Sequence, residues 1–215
     1  FNTYDVHPNK FLDINCKYIA YILGFLWADG YTTKNYGICT QIQISDFPVI
    51  NSIFQKTGYW RSYFRGRRPL SGPSACIYTT NRPIYDFLIS NDYKIKSQTS
   101  PSKILSQIPE NLHFYFWRGF FDGDGCWFIN EKHYNHAVYI GGTYAQDWSD
   151  ISTLLQNLEV KFSISQKIVK AGRYSIVRFG GKDNILKFGN YFYQDYSEPL
   201  GLNRKFEKYL LTKNY

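Results

Sequence analysis

Two periods of hydrophobicity alternate along this chain, one helical and one strand-like. The run YILGFLWADG (21–30) is apolar at helical density and ends abruptly in Asp29-Gly30. FWRGFFDGDG (116–125) repeats that design in the second half. After the first run, Lys34-Asn35-Tyr36-Gly37 reads as a hairpin turn. Ile38, Ile42 and Ile44 then alternate with Cys39, Gln41 and Gln43, the pattern of a half-buried strand. Asp46 predicts a helix start, with Val49, Ile50, Ile53 and Phe54 on the apolar face to about Thr57. WRSYFR (60–65) and ACIYTT (75–80) are strand-like, separated by GRRPLSGPS. Arg82-Pro83 opens a last helix carrying Ile84, Phe87 and Leu88 inward.

The second half runs through the same order. CWFINEK, a turn at His133–His136 and AVYIGG follow the second run. A helix over about 145–158 comes next, with Trp148, Ile151, Leu154, Leu155 and Leu158 on its apolar face. Strands KFSISQKIVK and RYSIVRFG follow, then a helix around 182–193 with Ile185, Leu186 and Phe188 inward. Each half therefore reads αββαββα. The expected organisation is a first repeat over 1–96, a polar linker with two prolines over 97–111, and a second repeat over 112–215. Its tail, from Ser197 onward, has no counterpart of equal length in the first half. The fold class is α/β, of the α+β kind, with two pseudo-symmetric halves.

Composition narrows the function. The 215 residues are 44% hydrophobic and 20% charged, enough for a packed core. A net charge of +8 favours a polyanionic partner, nucleic acid before anionic membrane. Cys16, Cys39, Cys76 and Cys126 are far apart and form no CxxC pair, which argues against a zinc site or a disulfide scaffold and for a reduced, intracellular setting. No stretch approaches the roughly 20 apolar residues of a membrane span, and no signal peptide is visible. The chain has no Met and opens at Phe1, so a natural start upstream is expected. His133 and His136 have ligand-like spacing but fall in a turn, and no metal is expected there.

Gly24 and Ala28 lie four residues apart, as do Gly119 and Gly123, so each pair shares a helix face. Small side chains there let two backbones approach closely. Gly inside a helix costs roughly 1 kcal/mol against Ala, so it implies a packing reason. If the two helices pack on each other with matching polarity, Asp29 and Asp124 meet at their C-terminal ends. Carboxylates there oppose the helix dipole and repel each other. A hard divalent cation such as Mg²⁺ between them resolves both problems and suggests phosphodiester hydrolysis. A single Asp-Gly after a helix is ordinarily a cap or turn; two copies in matching contexts reverse that reading.

The segments ILGFLWADG (22–30) and WRGFFDGDG (117–125) resemble the paired motif of the LAGLIDADG homing endonucleases, and the resemblance extends over nearly the whole chain. It implies the single-chain, two-repeat type, with the motif helices packed at the centre and antiparallel sheets forming a saddle over DNA. It implies Asp29 and Asp124 as metal-binding acids. The motif's earlier acid is matched by Asp122, but by Trp27 in the first copy, a position of packing or capping in the family. The family's lysine after the last helix of each repeat corresponds to Lys96 (with Lys94 as alternative) in YKIKSQ, and to Lys205 in LNRKFEKY. The resemblance further implies Mg²⁺ as cofactor, with Ca²⁺ supporting binding without cleavage and Mn²⁺ as a substitute. The activity implied is double-strand cleavage of a long, asymmetric duplex site by a monomer. An intron maturase acting on structured RNA and a catalytically silent DNA-binding protein are the alternatives on the same fold.

The strands supply candidate DNA contacts. With Ile38, Ile42 and Ile44 inward, Gln41 and Gln43 face out, and Gln suits adenine edges. Inward Trp60 and Phe64 leave Arg61 and Arg65 on the open face, with Arg67 and Arg68 in the adjoining loop and Lys34 at the first hairpin. In the second repeat, inward Phe162, Ile164 and Ile168 leave Ser163, Ser165 and Lys167 outward, and Lys170, Arg173 and Arg178 add charge.

Overall fold

The computed structural model describes residues 10–66, 72–130, 135–169, 172–195 and 200–214. Arg67, Arg68, His133 and Lys170 lie outside these residues. The first half runs α1 (Lys17–Asp29), β1 (Gly30–Thr33), β2 (Gly37–Gln43), α2 (Phe47–Gln55), β3 (Arg61–Arg65), β4 (Ser74–Thr79) and α3 (Arg82–Ser90). A four-residue helix, α4 (Ser102–Leu105), precedes α5 (His113–Asp124). The second half continues with β5 (Gly125–Asn130), β6 (Asn135–Thr143), α6 (Ser149–Asn157), β7 (Ser163–Val169), β8 (Gly172–Gly180), α7 (Lys182–Phe192) and a terminal helix α8 (Asn203–Asn214). The order αββαββα thus occurs twice, and α8 is an addition that the sequence pattern did not predict.

Each half builds one antiparallel sheet with the same strand order, β1-β2-β4-β3 and β5-β6-β8-β7. The β1–β2 connection is the three residues between paired Thr33 and Gly37, and it turns through Asn35 and Tyr36, both at positive φ (58° and 60°). Registers sort each sheet into two faces. Ile38, Ile42, Ala75 and Ile77 lie on the covered face of the first sheet, and Trp127, Val138, Ile140, Val177 and Phe179 on that of the second. All are buried, so the helices sit on those faces and the opposite faces are open.

Several expectations need correction. Ile44 lies past the end of β2 and is 37% exposed. Phe64 keeps the parity expected of it and packs edge-on against Phe47 at 5.1 Å, yet it is 69% exposed because β3 is an edge strand. Ile164 and Ile168 on the other edge strand, β7, are exposed for the same reason. Asp46 stands at the start of α2 but its side chain makes no cap bond; Arg204 takes it instead. Asn81 caps α3, accepting from the Ile84 amide. His136 belongs to β6 rather than a turn and is buried against Thr212 at 2.8 Å. The segment 97–111 carries α4 and buries Ile104, Leu105 and Ile108.

The two motif helices, α1 and α5, form the centre. A Cβ added at Gly24 would stand 1.8 Å from the Phe116 carbonyl oxygen, and one at Gly119 would stand 2.0 Å from that of Tyr21. A Cβ at Gly123 would meet that of Ala28 at 2.5 Å. Residue numbers rise together along both helices, so they run parallel. The small residues permit backbone-to-backbone contact, which is the packing reason their helix penalty required.

Gly24→Ala and Gly119→Ala therefore destabilise the protein despite the better helix propensity of Ala. The neighbour is backbone and cannot rotate away. Each substitution is expected to cost about 3 kcal/mol, lowering the melting temperature by about 6–12 °C. Gly66→Ala, where nothing lies within 4 Å, is the control and should be near neutral in the same thermal melts.

Candidate metal centre

The parallel packing brings the last turns of α1 and α5 side by side. Asp29 and Asp124 are the final residues of the two helices, and each is followed by a glycine that starts a strand. Neither glycine has positive φ; both are required for space. A Cβ at Gly30 would meet the Tyr93 hydroxyl at 2.1 Å, and one at Gly125 would enter the Phe121 ring at 2.0 Å. The Asp-Gly pairs are therefore not turn signals: they let a helix pass directly into a strand with an acid at the junction.

The electrostatics of this junction are unfavourable to both acids. Burial, and then the charge of Asp29 beside it, push the Asp124 carboxyl up to about 7, against the pull of Lys96 and Lys205. Burial also raises Asp29, with the same two lysines opposing it. Among the described residues no cluster of three or more His, Cys, Asp or Glu exists. A divalent ion here would rest on the two carboxylates, with its remaining oxygens from backbone, water or phosphate. Two repelling carboxylates, Asp124 half-buried and Asp29 open to solvent, are a donor set that fits a hard cation of the Mg²⁺ or Ca²⁺ type.

The two candidate lysines occupy equivalent positions but are not equally engaged. Lys96 Nζ donates to the Trp27 carbonyl at 2.5 Å and that of Ala28 at 2.6 Å, at the end of α1. Lys205 Nζ donates to the carbonyls of Phe121 (2.5 Å), Asp122 (2.9 Å) and Gly125 (2.7 Å), at the end of α5. Each ammonium caps the orphan carbonyls of a motif helix and offsets its dipole. An ammonium has three N–H donors, so Lys205 is saturated while Lys96 keeps one. Burial brings both down to about 8; Asp124 and Asp29 pull Lys96 back up, and Asp122 chiefly does so for Lys205. Lys94 is exposed on the Tyr93–Ile95 turn, so Lys96 is the one that reaches the helix end.

Asp122 does something the sequence did not reveal. It is buried and accepts from the Tyr21 hydroxyl at 2.7 Å and from the Leu202 amide at 2.9 Å, tying α1, α5 and the start of α8 together. Arg118, on the same helix and fully buried, donates to the carbonyls of Phe192 (2.5 Å) and Leu200 (3.1 Å). Arg204 forms a two-pronged bond to Asp46 at 2.8 and 2.6 Å, linking α8 to the first half. A cavity lined by Asp29, Gln41, Gln43, Asp46, Asp122 and Arg204 runs from the end of α1 to the first sheet.

The strand candidates distribute as follows. Strand pairing places Gln41, Gln43, Arg61 and Arg65 on the open face of the first sheet, with Tyr31, Tyr63, Tyr78, Cys39 and Cys76 among them. Lys34 is exposed in the first hairpin. Ser163, Ser165, Lys167 and Arg178 share the open face of the second sheet with Tyr139 and Tyr174. Arg173 pairs with Ile168, which puts it on the opposite face from Lys167. The tyrosines were not singled out from sequence; their parity with Gln41 and Lys167 was the available signal.

Residues 111–192 match the LAGLIDADG-like domain family. Comparison with curated proteins finds no match. Solved structures share the fold at low identity. I-DmoI in complex with DNA and Ca is 12% identical with a TM-score of 0.58, covering 94% of this chain and 100% of its own. The I-LtrWI LAGLIDADG homing endonuclease bound to target DNA is 12% identical with a TM-score of 0.55, covering 92% and 89%. Full-length DUF199/WhiA from Thermatoga maritima is 14% identical with a TM-score of 0.54; the match covers 95% of this chain but spans 64% of the WhiA chain. The architecture read from the paired motifs is therefore the architecture observed: a mixed α/β fold of two repeat-like halves, each with a four-stranded antiparallel sheet.

An aspartate held above its ordinary value costs stability once the unfolded chain has ionised and the folded one resists. For Asp124 the penalty is absent below about pH 4, grows as pH rises towards 7 and is complete above it. Asp124→Asn should therefore melt higher than the parent in metal-free buffer at pH 8, by about 1–2 kcal/mol or roughly 3–6 °C. The difference should vanish near pH 4. Thermal melts in chelator across that range check it.

Proposed function

We propose, for a chain whose residues 111–192 match the LAGLIDADG-like domain family and whose fold is shared with LAGLIDADG homing endonucleases of known structure, a site-specific DNA endonuclease that makes double-strand breaks at a long, asymmetric duplex site. The observation that carries this reading is the meeting of Asp29 and Asp124 at the ends of two parallel helices, each end held by a lysine. Asp29 and Asp124 would hold a divalent ion such as Mg²⁺, which would supply Lewis-acid stabilisation of the phosphodiester and lower the pKa of an attacking water. Because each half contributes one acid, a single chain holds a complete centre and acts as a monomer. The open faces of the two sheets carry the basic and amide side chains that face duplex DNA, and they differ in sequence, so the two half-sites differ.

The lysine geometry divides the labour at the centre. Lys96 retains a donor and is positioned to meet charge developing on the scissile phosphate. Lys205, with its three donors committed, acts by holding the end of α5, and with it Asp124, in place. The asymmetry predicts two distinct phenotypes. Lys96→Met should slow cleavage about 100-fold and lower the melting temperature by less than Lys205→Met does, since two carbonyls lose their partner rather than three.

The decisive experiment is digestion of a randomised duplex-site library with Mg²⁺, alongside Asp29→Asn and Asp124→Asn, with binding assayed in Ca²⁺. Specific cutting that both variants lose while still binding is the expected result. Binding without cutting by the parent would overturn the enzyme reading in favour of a DNA-binding protein. A parent that ignores duplex DNA but binds structured intron RNA would replace it with a splicing role.

A further inference from the structure

The open face of the first sheet carries two arginines in different states. Arg61 and Arg65 both lie on β3 with the same parity, facing away from the helices. Arg61 is exposed and makes no hydrogen bond among the described residues. Arg65 is half-buried and fixed. Its Nη1 donates to Gln41 Oε1 at 3.1 Å and its Nη2 to the Tyr63 hydroxyl at 2.9 Å, with the guanidinium 5.5 Å from the Tyr63 ring centre. Gln41 is itself held, donating from Nε2 to Ser74 Oγ at 2.8 Å. Ser74, Gln41, Arg65 and Tyr63 thus form one chain of hydrogen bonds across β4, β2 and β3.

That network alters the reading of Gln41. Its amide oxygen accepts from Arg65 and its nitrogen donates to Ser74, so the amide keeps one lone pair and one N–H but is turned to its protein partners rather than left to swing onto an adenine edge. Arg65 is in the opposite position. A guanidinium has five N–H donors in a rigid fork, and two are used to fix it. Three remain on a plane whose orientation is set before any ligand arrives. A fork held in advance loses little freedom when it meets a paired acceptor, and the paired acceptor of the major groove is guanine, through O6 and N7. A phosphate needs no such preparation, and Arg61 is free to follow one.

We propose that Arg65 is a specificity-determining residue that reads one guanine in the half-site facing the first sheet, and that Gln41 and Tyr63 are its positioning residues. The inference rests on the DNA-cleaving function proposed above, and it deepens that function by naming a required base. Gln43, one strand step beyond Gln41 on the same face and exposed, is left as the amide available for base contact.

The test is selection of binding sites from a randomised duplex library with the full chain in Ca²⁺, comparing parent, Arg65→Ala, Arg65→Lys, Gln41→Ala and Arg61→Ala. The parent should require guanine at one position of one half-site. Arg65→Ala and Arg65→Lys should both lose that preference, by about 10- to 100-fold, and leave the other positions unchanged. Lysine keeps the charge and the folded edge strand but lacks the fork, so its failure cannot be ascribed to lost charge or lost structure. Gln41→Ala should weaken the same guanine preference several-fold and change no adenine preference. Arg61→Ala should lower affinity evenly across sequences and reduce the salt dependence by about one phosphate's worth. An even loss of affinity in Arg65→Ala with the site profile intact would make Arg65 a phosphate contact and overturn the inference alone. An adenine preference lost in Gln41→Ala would overturn it as well. A parent that binds no duplex overturns the nuclease reading and this inference together.

Discussion

Everything at the centre of this molecule depends on how closely two helix backbones approach. At Gly24 and Gly119 there is no room for even one more carbon atom, since the added Cβ would overlap a carbonyl oxygen of the opposite helix. That contact sets the helices parallel and in register, and Gly123 against Ala28 extends it to their last turn. Two consequences follow without further assumption. The C-terminal dipoles of both helices point to one place, and the residues that end them, Asp29 and Asp124, add negative charge to it. The fold therefore concentrates electrostatic cost at one spot, and the surrounding residues are arranged in answer to it.

The answer differs between the halves. Lys96 and Tyr93 both donate to the last carbonyls of α1, Tyr93 to Leu26 at 2.9 Å. The end of α5 depends on α8, a helix with no counterpart after the first repeat, which brings Lys205 to three carbonyls and Lys208 to a fourth, that of Trp127 at 3.2 Å. Asp122 and Arg118 fasten the entry to that helix from inside, while Arg204 crosses to Asp46 in the first half. The motif position occupied by Trp27 in one copy and Asp122 in the other explains part of this difference. An indole packs in the core; a carboxylate accepts from the Leu202 amide and starts a helix. Two halves that look alike in topology are thus held by unlike chemistry.

What could be read from the sequence was whatever has a period or a pair. The two αββαββα repeats follow from alternation and helical spacing, and the contact between α1 and α5 follows from Gly24, Ala28, Gly119 and Gly123. Asp29 and Asp124 followed because they recur at the same place in both runs. Burial at sheet edges was not legible. Phe64 and Ile168 have the parity of core residues, but β3 and β7 are edge strands, and strand order is a tertiary fact. Nor was the capture of Asp46 by Arg204, since the two lie far apart in sequence and Asp46 fits a helix start equally well. The same limit hid the bond between Gln41 and Arg65: each looked like an independent open-face residue, and only the strand order β2-β4-β3 brings them within reach of each other.

The lysines show why placing a residue is not the same as assigning its work. Sequence order puts Lys96 and Lys205 at equivalent points after their repeats, and both do arrive at a motif-helix end. Yet an ammonium already bound to three carbonyls has exhausted its donors, whereas one bound to two has not. A buried positive charge whose hydrogen bonds all go to backbone still makes the potential at neighbouring carboxylates more positive, so Lys205 steadies Asp124 without touching it. The residual cost is visible in Asp124, whose carboxyl stays near 7 even with two ammoniums close by. A centre designed only for stability would carry asparagine or a small residue there. Retaining two carboxylates where dipoles, burial and mutual repulsion all oppose them is the kind of local conflict that folded proteins keep at functional sites.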